Sequence, residues 1–231
     1  MSDVLDDKQV VLEGVGPAFV KEKMLEMRAK TRAAIHAIAA ACKPGMVEED
    51  AVAMAKDLLA EGEMIRGWHD VYVRFGTNTL KTFGAESDPG IVLGEDDIFL
   101  IDIGPVWGDF EGDGGDTFVT GSNPGMAKAA VDAKAIFHTV RKKWESTGLS
   151  GKELYDFAIE EAKGLGWELN MDLSGHRLSD FPHAAIYDGP MADVDFKPSA
   201  LVWVLEIHIR NPENTFGAFF EDMLLGDEYF A

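Results

Sequence analysis

Two aspartates in the segment from Ile98 to Gly121 have types and spacing that could bind a cation. The segment begins with an apolar run, Ile98 to Ile103, which is typical of a strand buried on both faces, and Asp102 interrupts that run. An ionised carboxylate in such a strand is costly unless a metal, an ion-pair partner or hydrogen-bond donors compensate it. Asp113 follows eleven positions later.

The residues between and after these aspartates predict a reversal of the chain. Gly104-Pro105 marks a turn, and the composition of Thr117 to Thr120 is again that of a strand. A strand, a reversal and a returning strand would bring Asp102 and Asp113 together, where two like charges repel unless a cation lies between them. Two alternatives remain open on these residues alone: a solvated acidic turn with one ion-paired aspartate, or a divalent-cation site with oxygen ligands.

Two glutamates near the C-terminus and two histidines before them have equally unusual surroundings. Glu206 lies in an apolar run from Leu201 to Ile209, and Glu221 lies in a second such run. His176 and His183 are seven positions apart in a loop punctuated by glycine and proline. A lone histidine is more often a satisfied surface or core residue than a ligand, but two of them beside strands with embedded acids favour a shared site.

Four carboxylates and one imidazole therefore form a candidate ligand set. This inventory suits one or two divalent ions such as manganese, iron, cobalt or zinc, and it matches copper or an iron–sulfur cluster poorly. The spacing fits neither the zinc helix with the HExxH pattern nor an EF-hand loop. The members of the set are Asp102, Asp113, His176, Glu206 and Glu221.

Composition limits the classes of partner. The chain has 231 residues, of which 46% are hydrophobic, and 21 basic against 41 acidic residues give a formal charge of −20. Such a balance argues against nucleic acid or an anionic membrane as a partner. The acidic start, Met1 to Asp7, does not resemble a signal sequence, no stretch is long and apolar enough to span a membrane, and the single Cys42 excludes an internal disulfide. We expect a cytoplasmic protein whose oligomeric state is open, a homodimer included.

Periodicity and punctuation predict an α+β fold in which each half of the chain runs helix, helix, then strands. We find no residue-level repeat and no linker, so we predict one domain over residues 17–231 with an N-terminal extension over residues 1–16. The expected helices begin at Pro17, Glu48, Pro124 and the capping box of Ser150 and Glu153. The expected strands are Asp70 to Phe75, Ile98 to Ile103, Thr117 to Thr120, Leu201 to Ile209 and Phe216 to Leu225.

The same residues resemble the motifs of the pita-bread metallopeptidase superfamily, which includes methionine aminopeptidases, aminopeptidase P, prolidases and creatinases. Asp102 stands in an "IDxG" strand, and the "TF-V-G" run ending at Gly121 indicates Asp113, rather than Asp109 or Asp116, as the second acid. The pair Gly175-His176 with His183 matches the family's "GH" motif and its second histidine, and Glu206 and Glu221 match its two strand glutamates. The resemblance runs from about Pro17 to the C-terminus.

The resemblance implies a fold, a cofactor and an activity. The fold would have two pseudo-related α–β halves around a curved antiparallel sheet, with helices outside. Two divalent ions (manganese, cobalt, iron or zinc) would activate a water molecule for attack on an N-terminal peptide bond or a small amide. Asp102 would chelate one ion, His176 and Glu206 would hold the other, and Asp113 and Glu221 would bridge them. Glu206 would also shuttle a proton, and His183 would hydrogen-bond the scissile carbonyl.

Departures from the family pattern keep other functions open. Phe83 stands where aminopeptidases carry a further histidine; His69 could reach the cleft from another direction, although its spacing does not support this. Ile207 replaces the usual proline and His208 follows it, while Asp116 stands where many aminopeptidase P-like members have arginine. Phe83, His69 and His208 are secondary candidates for the substrate pocket. One alternative is a non-peptide C–N hydrolase or lyase of the creatinase type on the same metal site, and another is a non-catalytic module that binds a peptide or partner.

Overall fold

Five α-helices and ten β-strands make up the part of the chain described by the computed structural model, residues 7–64, 66–182 and 187–230. The helices are α1 Asp7–Leu12, α2 Lys21–Ala41, α3 Glu48–Glu61, α4 Pro124–Ser146 and α5 Gly151–Gly164. The strands are β1 Arg66–Gly67, β2 Tyr72–Phe75, β3 Ile98–Ile103, β4 Pro105–Trp107, β5 Phe110–Glu111, β6 Gly114–Val119, β7 Glu168–Leu169, β8 His176–Arg177, β9 Trp203–Arg210 and β10 Gly217–Met223.

A seven-stranded antiparallel sheet unites the two halves of the chain. Its order is β2-β3-β6-β10-β9-β7, and β8 also pairs with β9. The first three strands come from the first half and the others from the second, so the halves meet where β6 pairs with β10. A smaller sheet has the order β1-β4-β5: its strands β4 and β5 lie between β3 and β6 in the chain, whereas β1 precedes β2. The predicted reversal after Asp102 is confirmed, because β3 and β6 are antiparallel neighbours.

The long helices cover the sheet from outside, each pair over its own half. Helix α2 buries a stripe at helical spacing, and with α3 it packs on β2 and β3 in one hydrophobic cluster. Helices α4 and α5 pack with β9 and β10 in another. Burial of these apolar faces is the main force that holds helix to sheet. The buried residues of the α2 stripe are Met24, Met27, Thr31, Ile35 and Ile38.

Helix α2 begins at Lys21 and not at Pro17, so that prediction was wrong. The backbone N–H groups of Gly16 and Ala18 donate to the carboxylate of Asp180 at 2.7 and 3.0 Å, which holds this stretch in a turn. Val20 consequently precedes the helix and is 44% exposed. A contact across more than 160 residues thus overrides the local preference of proline for a first helical turn.

The other helix predictions are confirmed within a residue or two. Helix α3 spans Glu48–Glu61 as expected, and α5 is opened by the predicted capping box, in which Ser150 and Glu153 bond each other's backbone N–H groups. Within residues 7–64, 66–182 and 187–230, no helix is both long and apolar enough to cross a membrane.

Candidate metal centre

Three carboxylates lie on one rung of the sheet, across its four central strands. Asp102 on β3 is directly opposite Gly115 on β6, Gly115 is opposite Glu221 on β10, and Glu221 is opposite Glu206 on β9. Directly opposite residues of antiparallel strands project from the same face of a sheet. The register therefore aligns Asp102, Glu221 and Glu206, which are far apart in the chain.

Asp113 reaches the same face from the residue immediately before β6. It lies two positions before Gly115, and residues two apart on a strand share a face. Gly115 itself is needed on the rung, because a Cβ there would lie 2.5 Å from the Phe219 ring and 3.2 Å from Cγ of Glu221. The glycine leaves the space that the neighbouring carboxylates occupy.

His176 is the histidine that the second half of the chain contributes to the site among the described residues. It lies on β8, where it pairs with Val204, and its Nε2 is 2.9 Å from Oδ2 of Asp113. Its Nδ1 donates to the carbonyl oxygen of Arg177 at 2.8 Å. Because a carbonyl can only accept, that contact leaves Nε2 as the ring atom able to offer a lone pair.

His69 approaches the same carboxylates from the loop between β1 and β2. Its Nε2 is 3.4 Å from Oδ1 of Asp113 and 3.6 Å from Oδ1 of Asp102. Its Nδ1 donates to the carbonyl of Asp70 at 2.6 Å. The ring occupies space above Gly104, where a Cβ would collide with its Cδ2 and Nε2 atoms.

These groups line a cavity of about 390 Å³. No lysine or arginine is found among the described residues of its wall, whereas apolar and aromatic side chains stand beside the acids. The residues that line it are Trp68, His69, Phe83, Asp102, Asp113, Met171, Asp172, Leu173, Ser174, Gly175, His176, Asp188, Gly189, Pro190, Glu206 and Glu221.

Burial and the charges of neighbouring groups shift the pKa values of the four carboxyl groups. Burial raises the pKa of Glu206 to about 7, and burial together with the nearby Asp113 and Asp102 raises the pKa of Glu221 well above its usual range. Burial also raises the pKa of Asp102. Burial acts in the same direction on Asp113, but the two adjacent histidines outweigh it and lower the pKa of that carboxyl.

The pKa values of His69 and His176 are raised, whereas burial alone would lower the pKa of an imidazole. Burial disfavours their charged forms, yet Asp102 and Asp113 raise the pKa of His69 to about 9. Asp113 and Glu206 raise the pKa of His176 to about 10 against the same opposition. The cavity therefore has a field that attracts positive charge.

The site fits divalent cations by its donor set and by an unsatisfied atom. Oε1 of Glu221 is buried with no hydrogen-bond partner among the described residues, a cost that a cation would remove. Two groups of side chains have ligand atoms within 4.8 Å of one another, and Asp113 belongs to both. These groups are His69, Asp102 and Asp113, and Asp113, His176 and Glu221.

The structure places the three secondary candidates differently, with His69 and Phe83 at the cavity and His208 away from it. Phe83 lines the cavity, but His208 does not: it is buried, its Nε2 donates to the carbonyl of Thr79, and its Nδ1 accepts from the amide of Asn170. Burial lowers the pKa of His208 to about 4, so the ring is neutral. His183 lies outside the described residues.

The spacing of His69 in the sequence did not indicate a place in the site, but the structure places its ring against Asp102 and Asp113. The loop that carries it contacts the site through the β1–β4 pairing, a non-local contact without a local signal. The glycine of the "IDxG" motif, Gly104, is the one sequence feature that indicates a side chain packed closely over the end of β3.

Comparison with known proteins agrees with this architecture. The model of metallopeptidase family M24 matches residues 22–228. Similar solved structures include the X-Pro aminopeptidase of Thermotoga maritima (TM-score 0.70, 19% identity, 95% of this chain and 58% of that one) and the prolidase of Thermococcus sibiricus (0.73, 14%, 97% and 58%). A methionine aminopeptidase from Thermotoga maritima also matches (0.66, 15%, 88% and 91%). No curated protein sequence matches the chain.

These likenesses confirm the expected pita-bread fold, an antiparallel sheet with helices outside. The chain spans about 58% of the length of the X-Pro aminopeptidase and prolidase that it matches, and nearly the whole of the methionine aminopeptidase.

Proposed function

Because this chain belongs to metallopeptidase family M24, we propose that it is a metal-dependent hydrolase that cleaves the N-terminal bond of a peptide or a small amide bond. The observation that carries the proposal is the rung of acids across β3, β6, β10 and β9, with a buried carboxylate oxygen that has no partner among the described residues. Acids held this close, in a cavity wall whose described residues include no lysine or arginine, are expected where cations balance them.

Five residues would hold two divalent ions: Asp102, Asp113, His176, Glu206 and Glu221. Asp113 is suited to a shared position because it contributes to both candidate ligand groups. When bound, such ions polarise a carbonyl and lower the pKa of water so that it becomes a nucleophile at neutral pH. Oxygen and imidazole donors are compatible with manganese, cobalt, iron or zinc.

Glu206 is the residue we assign to proton transfer. One of its carboxylate oxygens, Oε2, accepts from the backbone N–H of Gly175 at 2.8 Å, which fixes the orientation of the side chain at the cavity wall. Burial raises its pKa to about 7 in the metal-free chain, and its fixed position at the cavity wall is the reason to assign it proton transfer. His183 is assigned, by its place in the family motif, to the hydrogen bond with the reacting carbonyl.

Phe83 favours a second candidate, the hydrolysis or elimination of a non-peptide C–N bond. Its ring lines the cavity and packs edge-on against His69 and Tyr72, with centroids 5.5 and 5.6 Å apart. A phenyl ring cannot donate the hydrogen bond that aminopeptidases direct at substrate from this loop. Poor turnover of both dipeptides and simple amides, with turnover of a compound whose C–N bond is not an amide, would favour this second function.

The experiment is metal analysis of the purified protein, followed by assays of short peptides and small amides with manganese, cobalt or zinc. We expect two ions per chain and hydrolysis in at least one substrate class. His183→Ala should keep the metal and lose about a hundredfold or more in turnover, the usual effect of removing one oxyanion donor, whereas His176→Ala should lose metal and activity together. Protein that binds none of these metals would overturn the proposal.

A further inference from the structure

The loop histidine, His69, has the surroundings of a metal ligand and not of a substrate-pocket side chain. Its side chain is 5% exposed, and its Nε2 faces one carboxylate oxygen from each of Asp102 and Asp113. Those contacts, 3.6 and 3.4 Å, are longer than good hydrogen bonds. Ligand bonds of about 2.0–2.1 Å around one tetrahedral ion set neighbouring donor atoms roughly 3.3–3.4 Å apart, which is close to the observed spacing.

The two histidines of the cavity are built alike. Each donates its Nδ1–H to the carbonyl of the residue that follows it, at 2.6 Å for His69 and 2.8 Å for His176. Each turns its Nε2 to Asp113, His69 to Oδ1 and His176 to Oδ2. Metal-bound histidines commonly donate their second ring nitrogen to a backbone carbonyl, because this fixes the tautomer and the ring orientation. A carboxylate with one imidazole at each oxygen is also arranged as a bridge between two ions.

Aromatic neighbours hold the His69 ring in this position. The rings of Trp68 and Phe83 pack edge-on against it, with centroids 4.6 and 5.5 Å from the His69 centroid. The Tyr72 ring lies nearly parallel to it, with a centroid distance of 6.2 Å. Gly104 provides the space beneath it. The orientation of the ring is therefore set before any ion arrives, which lowers the ordering cost of binding.

We propose that His69 is a sixth metal ligand, which binds through Nε2 the same ion as Asp102 and shares Asp113 with the ion held by His176. The inference rests on the proposed metal-dependent function. The role of Phe83 is then to pack against the His69 ring and hold it in place, and not to contact substrate. An imidazole at each ion gives a borderline donor set, which favours cobalt or zinc over manganese.

The test is a calorimetric titration of metal-free protein with Co²⁺, comparing the native chain with His69→Gln. A lost ligand should weaken one of the two sites by roughly tenfold to a hundredfold or more and leave the other unchanged. If His69 were instead an imidazolium paired with the acids, replacing it by a neutral amide would remove a positive charge and tighten Co²⁺ binding. If it only contacted substrate, neither affinity would change.

Two further variants keep the outcome interpretable. Gly104→Ala retains the imidazole but displaces it from Asp102 and Asp113, so it should weaken the same site as His69→Gln. His36→Gln makes the same chemical change on an exposed position of α2 and should leave both sites as in the native chain. Tighter or unaltered binding in His69→Gln would overturn the inference and leave the proposed function standing, whereas native protein that takes up no Co²⁺ would overturn both.

Discussion

The two faces of the central strand pair, β6 and β10, both contain buried acids, but they treat them differently. On the face toward α2, Asp222 accepts two hydrogen bonds from Arg28, at 2.7 and 2.9 Å, and Asp116 pairs with Arg32 at 2.5 Å. On the opposite face, Glu221, next to Asp222 in sequence, has an oxygen without a partner among the described residues.

This difference in pairing distinguishes acids that stabilise the fold through arginine partners from acids that are available to bind a cation. Arg28 and Arg32 are one turn apart on α2, so the helix delivers a guanidinium to each acid on its side of the sheet. The cavity face receives two imidazoles and, in its described wall, no lysine or arginine. Both faces satisfy the rule that buried charge must be compensated, one within the chain and the other, we infer, by bound ions.

The largest expected effect is on metal content, which should fall in variants of the cavity-face acids and not in variants of the acids facing α2. Asp113→Ala should lose both ions and Asp102→Ala one, whereas Asp116→Ala, three residues after Asp113 on the other face, should keep two. Glu221→Ala should resemble Asp113→Ala if it too bridges. The measurement is metal per chain by mass spectrometry after dialysis; equal losses in all four variants, or none, would contradict the assignment.

Chelation should destabilise the native protein by several kcal/mol. Each ion present at a hundred times its Kd adds about 2.7 kcal/mol to the free energy of unfolding, so two ions add about 5 kcal/mol. For a chain of this size the melting temperature should fall by roughly 10 °C or more in excess chelator. An unchanged melting curve would mean that the acids are satisfied by hydrogen bonds and protons.

The metal-free protein should become less stable as pH rises from about 4.5 to about 10. Glu206, with a pKa of about 7, and His69 and His176, with pKa values of about 9 and 10, all bind protons more tightly folded than unfolded. Stability from such groups is complete below their unfolded pKa values and is lost as pH rises through the folded ones.

Glu206 alone should account for about 3 kcal/mol of that loss, between pH 4.5 and 7. Melting curves of chelated protein at pH 5, 7 and 9 measure the trend, with metal-loaded protein as the control. A flat or rising profile without metal would show that the cavity acids are not held protonated.

The smallest effect should come from the α2 face, and it should not depend on metal. Asp222→Asn removes a charged acceptor from Arg28 and should cost about 1.5–3 kcal/mol, the range for hydrogen bonds to charged groups. Glu221→Gln, at the adjacent position, should stabilise the chelated protein near neutral pH, because burial raises the pKa of Glu221 and an amide removes the cost of keeping that carboxyl protonated in the folded chain. Denaturant titrations with and without chelator measure both; a metal-dependent cost in Asp222→Asn would erase the distinction between the faces.

Residue types and their local spacing are enough to identify the anomalous residues and the strands and helices that carry them. A carboxylate inside an apolar run is costly wherever the strand lies, so Asp102, Glu206 and Glu221 are visible without a fold, and the turn after β3 with the eleven-residue spacing places Asp113 beside Asp102. Capping chemistry is equally local, which is why α5 begins where Ser150 and Glu153 predict.

Contacts between distant segments determine how these residues come together. The rung through Gly115 depends on the register of β6 with β10, which pairs residues about a hundred positions apart and has no signature in either strand. The same holds for His69, delivered by the β1–β4 pairing, and for the start of α2, displaced by Asp180. Local preferences are set by neighbours in sequence, but close packing and hydrogen bonding between distant segments choose among the arrangements that those preferences allow.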